Sequence, residues 1–413
     1  MFELKAFDTL AFGGLALLFG QGALRLIPFL ARHNIPGPII GGLSVALVTL
    51  ISHARGVTLV TFDTAMQAPL MIAFFTTVGF GASASLMRIG GPQVALFLAA
   101  ATAFAILQNT VGMLVAMAFG LEPLFGVLAG SVTLTGGPAT GLAFAPLFEQ
   151  AGIEGAASVA VATAMAGIVA GGLVGGPLGT FLIERNKLRT GAGAPTSAAR
   201  PAGVEGRDDA DDESAILERF TEPEGAIDAH AVLRNLIYVL VAMWAGSWVS
   251  TGVATLGLTL PAYIGAMVVA ALIRNFDDAT GWLRLSHRLM DILGAIALPL
   301  FLAMALMTLK LWELAGLAMP LVVNLFVQVI LVLVVAGWPV YRLMGRDYDA
   351  AVMSGGFIGF MLGTTANAMA VMRALVERYG EAPRAFLVAP LVGAFFIDFS
   401  NLLIITGFLN LFG

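Results

Sequence analysis

The feature that most limits this chain is the length of its unbroken apolar runs. Stretches of roughly 18 or more apolar residues recur along it, and each is long enough to cross a bilayer as a helix. A core helix of a soluble protein needs an apolar stripe, not an apolar circumference. Composition agrees: 59% of the 413 residues are hydrophobic and 11% are charged, against roughly 25% charged in globular chains. An ordinary soluble protein is excluded, and the expected class is an all-α polytopic membrane protein. Cysteine is absent, which rules out disulfides, iron–sulfur clusters and thiol catalysis. Glu3 and Asp8 beside the single Lys5 give no basic leader region, so the first run is expected to be retained. The net charge of −5 comes largely from one central acidic stretch, and no basic patch suited to nucleic acid is present.

Read in order, the apolar runs place spans at 8–30, 37–53, 67–87, 93–119 and 155–184, with an interrupted segment at 124–147. The same order then returns: spans at 231–255, 259–274, 291–312, 316–342 and 383–411, with an interrupted segment at 349–373. The expected domains are therefore an N-terminal repeat over 1–185, a linker over 186–229 and a C-terminal repeat over 230–413. The linker is rich in Gly, Pro, Ser and Ala and then carries Asp208, Asp209, Asp211, Asp212 and Glu213. That composition buries no core and reads as a solvated cytoplasmic tether.

Five spans per half force the halves into opposite orientations. With the N-terminus outside, the outer segments hold Lys5, Arg55 and Lys310, and the other 18 of the 21 basic residues fall inside, as the positive-inside rule requires. The interrupted segments then enter from opposite faces as re-entrant hairpins. Leu147–Gly152 (LFEQAG) aligns with Leu375–Gly380 (LVERYG), each just after an interrupted segment. Inverted repeats with opposed broken helices are the architecture with which secondary transporters build one midplane site.

Chemistry is expected at the breaks. The first carries Thr133-Leu134-Thr135-Gly136-Gly137-Pro138-Ala139-Thr140-Gly141 and the second Gly363-Thr364-Thr365-Ala366-Asn367. Such residues interrupt helical hydrogen bonding, freeing carbonyls for a cation and helix N-terminal N–H groups for an anion. A lone Gly/Pro motif is often a kink; two at corresponding places favour functional tips, with the Thr135 and Thr140 hydroxyls as oxygen donors. Gln108 and Asn109 stand in an apolar span, where they either line a site or join helices by hydrogen bonds. For Thr76 and Thr77 the helix-contact reading is preferred. Asp398 is the acidic residue deep in an apolar span, a costly position. It reads as a sodium ligand, a proton carrier or a hydrogen-bonded helix contact, and Asn401 shares its helical face. His33, His53, His230 and His287 lie at span ends or in loops, which argues against a metal site or a midplane proton relay. Gly171-Gly172 and Gly175-Gly176 read as close-packing surfaces. A channel and an intramembrane enzyme are the competing classes. Opposed hairpins favour alternating access over the first, and the lack of a second buried carboxylate to pair with Asp398 weighs against the second.

Several strings resemble the bacterial glutamate:sodium symporter family: Pro69–Phe75 (PLMIAFF), Leu300–Met307 (LFLAMALM) running on to Lys310–Leu314 (KLWEL), and Val392–Asp398 (VGAFFID). The resemblance covers the chain apart from the linker. It implies sodium-coupled import of L-glutamate by a homodimer in the bacterial inner membrane, working by an elevator mechanism, with sodium as coupling ion and no other cofactor. Carried onto this sequence, Gly136, Gly137, Ala139, Thr140, Gly363, Thr364, Thr365 and Asn367 are the candidate substrate-binding residues. Thr135, Gln108, Asn109, Asp398 and Asn401 are the candidate sodium ligands. Two departures touch the site. Pro138 and Ala139 replace the middle of the family's Gly-Gly-His-Gly-Thr, and Gly363-Thr364-Thr365-Ala366-Asn367 stands where the family commonly has Gly-Ala-Thr-Pro-Thr.

Overall fold

The computed structural model describes residues 2–27, 36–84, 91–188, 228–257, 260–314 and 316–413. The acidic run of the linker and His33 lie outside the described residues. The helices are α1 (Ala6–Leu26), α2 (Gly37–Ala54), α3 (Gln67–Phe80), α4 (Gly91–Ala118), α5 (Pro123–Val127), α6 (Gly137–Gln150) and α7 (Ala156–Arg185). The second half supplies α8 (Ala229–Ala254), α9 (Ala262–Thr280), α10 (His287–Met307), α11 (Ala318–Val335), α12 (Tyr348–Met361), α13 (Thr365–Tyr379), α14 (Pro383–Leu391) and α15 (Ile397–Phe412). Turns of π-helix extend α5 over Leu128–Val132, carry α11 over Ala336–Val340 into Tyr341–Leu343, and join α14 to α15 over Val392–Phe396. The all-α expectation needs one addition, a parallel pair of three-residue strands, β1 (Phe2–Leu4) and β2 (Val60–Phe62).

Among the described residues, seven helices are long and apolar enough to cross a membrane, with shorter apolar helices at Gln67–Phe80, Pro123–Val132 and Ile397–Phe412. The protein is a helical, multi-pass membrane protein, and three of the ten expected spans take other forms. The span expected over 67–87 closes as a helix at Phe80, and the chain beyond is caught by Asn275, whose amide nitrogen donates to the Ala82 carbonyl at 2.7 Å and whose oxygen accepts from Ala84 N at 2.9 Å. The span over 259–274 runs on to Thr280, past Arg274, Asp277 and Asp278, so only its first part is apolar. The span over 383–411 is broken after Pro390, which has no N–H to give an α-helical bond, and the π turn follows.

Packing sorts the helices into two groups. The first three of each half, α1, α2, α3, α8, α9 and α10, pack on one another, and the later elements of both halves form the second group. The partnerships interchange when the halves are exchanged. α1 packs on α2 as α8 does on α9, α2 on α10 as α9 does on α3, and α7 on α12 as α15 does on α5. α12 is the core of the second group: every residue from Ala350 to Met361 is buried, as a helix apolar on all sides must be. Phe357 sits edge-on to Phe97 and Phe104 of α4, with ring centroids 5.6 and 5.5 Å apart. Gly171 and Gly175 bring α7 down onto the second broken segment, against Leu362 and the Gly355 carbonyl, whereas Gly176 meets nothing. The aligned strings also coincide in place. LFEQAG and LVERYG end α6 and α13, and Gly152 and Gly380 carry the chain out with φ of 91° and 104°.

Candidate functional site

Each interrupted segment is a helix, a break and a second helix. In the first, Gly130 leaves helical geometry (φ −104°, ψ −126°), and α6 starts at Gly137 with φ +69° after Gly136 as N-cap. In the second, α12 ends at Met361 and α13 starts after Thr364, whose hydroxyl accepts from Asn367 N at 3.3 Å as an N-cap. The two breaks meet. A Cβ on Gly137 would lie 3.4 Å from Thr364 Cγ2 and 3.6 Å from the Gly363 carbonyl oxygen. Two helix N-termini thus open at one point.

The donors there are main-chain groups. The first turn of a helix has no internal partners for its N–H groups; Pro138 has none to offer and α6 has no side-chain cap. This leaves the Gly137 and Ala139 N–H groups on one tip and those of Thr365 and Ala366 on the other. Together with the two helix dipoles they form an anion-binding concavity. Most of the expected side chains serve to hold it. The Thr365 hydroxyl donates to the Gly393 carbonyl at 2.9 Å, and the Asn367 amide donates to Ile168 O of α7 at 3.0 Å and Gly359 O at 3.4 Å. Thr140 is buried and its hydroxyl makes no hydrogen bond with the described residues, so it remains available.

Behind the tips lies a buried polar layer. Thr135 donates to Gln108 Oε1 at 2.6 Å, and Gln108 Nε2 donates to the Met361 carbonyl at 2.9 Å, so one side chain of α4 ties both breaks together. Asn109 Oδ1 accepts from Ser131 N at 2.8 Å, and Asn401 Nδ2 donates to Ser131 O at 3.0 Å. Two further residues belong to this layer: Asn324 donates to Ala129 O at 2.6 Å and Gln328 to Gln108 O at 2.8 Å. Sequence reasoning passed over both. The signal was present, because two amides four residues apart on one face of an apolar helix form a polar stripe.

Asp398 stands apart from this layer: it is partly exposed and has neither an ion pair nor a hydrogen bond among the described residues. Thr76 and Thr77 bond back to Ile72 O and Phe74 O of their own helix, at 2.7 Å each, rather than across to a neighbouring helix. Arg373 is exposed, as suits an anchor at the membrane face. His53, stacked on Trp312 at 4.0 Å, lies at the end of α2, while His230 and His287 start α8 and α10. Among the described residues no three His, Cys, Asp or Glu side chains gather as a metal centre. A cavity of about 650 Å³ opens beside α6 toward α10, lined by Leu142, Glu149, Glu154, Lys310 and Glu313 among others.

A helical membrane protein with paired broken helices and a neutral, buried polar layer is built to pass a solute rather than to catalyse a reaction on one. Comparison with known proteins gives the family. The sodium/glutamate symporter family model matches residues 2–381. The chain is 38% identical to the sodium/glutamate symporter of Escherichia coli (strain K12), over 100% of this chain and 99% of that one. It is 37% identical to the sodium/glutamate symporter of Haemophilus influenzae, over 97% and 96% of the two chains. The chain belongs to the sodium/glutamate symporter family, a family of transporters and not of enzymes.

Proposed function

We infer that this chain imports L-glutamate coupled to sodium by alternating access. The observation that carries the reading is the meeting of two helix starts at Gly137 and Thr364. The carboxylates of glutamate take the main-chain N–H groups there, and Thr140 adds a hydroxyl. Sodium is held by neutral oxygens of the layer behind, to which Gln108, Asn109, Thr135 and Asn401 belong. The names borne by both relatives agree with this substrate and ion.

In this reading 1–185 and 230–413 are inverted repeats joined by 186–229, and the two breaks are re-entrant hairpins entering from opposite faces. The interchange of helix partners between the halves supports it, and with this topology 18 of the 21 Lys and Arg residues fall inside, as the positive-inside rule asks. The packing of helices into two groups supports an elevator, in which the hairpin-bearing group slides along the other. The chain then resides in the bacterial inner membrane as a homodimer, with both termini outside and the linker in the cytoplasm. Proton coupling is the second reading, favoured by the unpartnered Asp398. Uptake of labelled glutamate into proteoliposomes separates them. Replacing external sodium by choline at fixed pH abolishes uptake if sodium is the coupling ion, and uptake that survives the exchange rejects it. Activity toward other dicarboxylates with none toward glutamate would reject the substrate.

A further inference from the structure

The kink at Gly130 is surrounded by more polar atoms than it uses. Asn109, Ser131, Asn324, Gln328 and Asn401 are each at least 99% buried. Each amide spends one end on the backbone at or beside the kink, at the distances given above. The other ends are orphaned: Asn324 Oδ1, Gln328 Oε1, Asn401 Oδ1 and Asn109 Nδ2 have no partner, and neither has Ser131 Oγ. The orientation of the amides is fixed by their neighbours. Asn324, Gln328 and Asn401 all donate to backbone carbonyls, which only accept, so the end left over is the oxygen in each case.

Leaving a buried polar atom unsatisfied is costly, and such atoms are few in a native protein. Ten buried side-chain atoms among the described residues lack partners, and five of them gather around this one kink. Four of the five are oxygen-bearing groups, three of them able only to accept. Three groups that only accept, against one orphaned donor in Asn109 Nδ2, leave an excess of oxygen lone pairs of the kind a cation takes. Hard cations take oxygen ligands, and a ligand set with no carboxylate suits a single positive charge over a double one.

We propose that a sodium ion is held at the Gly130 kink by Ser131 Oγ, Asn324 Oδ1, Gln328 Oε1 and Asn401 Oδ1. This rests on the sodium-coupled reading above and adds three ligands to it, Ser131, Asn324 and Gln328. The ligands come from the first interrupted segment, α11 and α15, so occupancy ties that segment to two helices of the other half. Movement of the first tip and binding of the ion are then coupled: the ion is bound only while these elements are closed on the kink.

The test uses the full chain in proteoliposomes, with labelled glutamate uptake measured against external sodium and choline as balancing cation. Ser131→Ala removes one orphaned hydroxyl and no hydrogen bond of its side chain, so folding is preserved. Gln328→Met is a second variant of similar volume. Ser44→Ala, on α2 in the other group of helices, whose hydroxyl bonds to Ile40 O of its own helix, is the control. Both kink variants are expected to raise half-saturating sodium about tenfold while retaining uptake at saturating sodium, and the control to match wild type. A second reading in detergent without glutamate follows the melting temperature against sodium, and the same displacement to higher sodium is expected. If wild type responds to sodium and both kink variants respond at the same concentration, the kink holds only water and this site is overturned. If wild type itself takes up glutamate equally in choline, it is the sodium-coupled reading that fails.

Discussion

Gln108 is the side chain whose removal tests how the two breaks are joined. Gln108→Leu keeps the volume and leaves two buried groups without partners, the Thr135 hydroxyl and the Met361 carbonyl. Met361 ends α12, so its carbonyl has no helical N–H to fall back on. The hydroxyl has a poor substitute, the Met361 sulfur at 3.8 Å. Interhelical hydrogen bonds in membranes average only ~0.6 kcal/mol because partners are usually replaceable. Here one is not, so the orphan cost of about 1–3 kcal/mol per group applies, and the variant should lose about 2–4 kcal/mol in total. Thr135→Val orphans only Gln108 Oε1. In the double variant only the Met361 carbonyl is left, so two orphan costs drop out and the double loss should fall short of the sum of the single losses by about 2–4 kcal/mol. Thermal unfolding of purified protein in detergent, with glutamate uptake alongside, measures the cycle. Losses that add to within about 0.5 kcal/mol would refute the linkage.

Other outcomes follow from the same geometry. A Cβ on Gly126 would overlap the Gly112 carbonyl, backbone against backbone, so Gly126→Ala should lower the melting temperature by forcing α4 and α5 apart, a cost of about 1–3 kcal/mol or more. Gly14→Ala, with no atom within 4 Å, should leave it unchanged. Thr364→Ala removes the cap of α13, costing about 0.5–2 kcal/mol, and should raise the KM for glutamate, while Thr364→Ser should retain wild-type uptake. At the surface end of α13 the Tyr379 hydroxyl donates to Glu184 Oε1 at 2.6 Å, and that bond holds the phenol above its ordinary pKa. A raised phenol pKa means that the stabilisation is complete below the ordinary value of about 10 and is lost as pH climbs through the raised one. Tyr379→Phe should therefore melt below wild type by the same margin at pH 7 and pH 9, and the margin should close in stronger alkali.

The broad plan of the protein was legible because lipid imposes a simple rule: unbroken apolar length marks a helix, and Gly, Pro and hydroxyl residues inside such a run mark a break. Both breaks lie where that rule put them. Less legible was how each side chain is used. Thr364, Thr365 and Asn367 look like ligands in the sequence, yet their polar groups cap α13 or bond to α7 and Gly393, because a broken helix must first satisfy its own backbone. Asn324 and Gln328 went unseen since neither neighbours a motif, and their partner, the kink, is nearly 200 residues away along the chain. The early end of α3 had the same cause: the Asn275 side chain that catches residues 82–84 belongs to the other half.

The central claim is that one solute and its ion are held where two oppositely oriented broken helices touch. The chain has no cysteine, so single replacements at Ala139 and Ala366 can be labelled with a membrane-impermeant thiol reagent in right-side-out and inside-out vesicles, with no background. The account expects Ala139→Cys and Ala366→Cys to react from opposite sides of the membrane, and glutamate with sodium to protect both. Reaction of both from the same side, unaffected by glutamate and sodium, would contradict it.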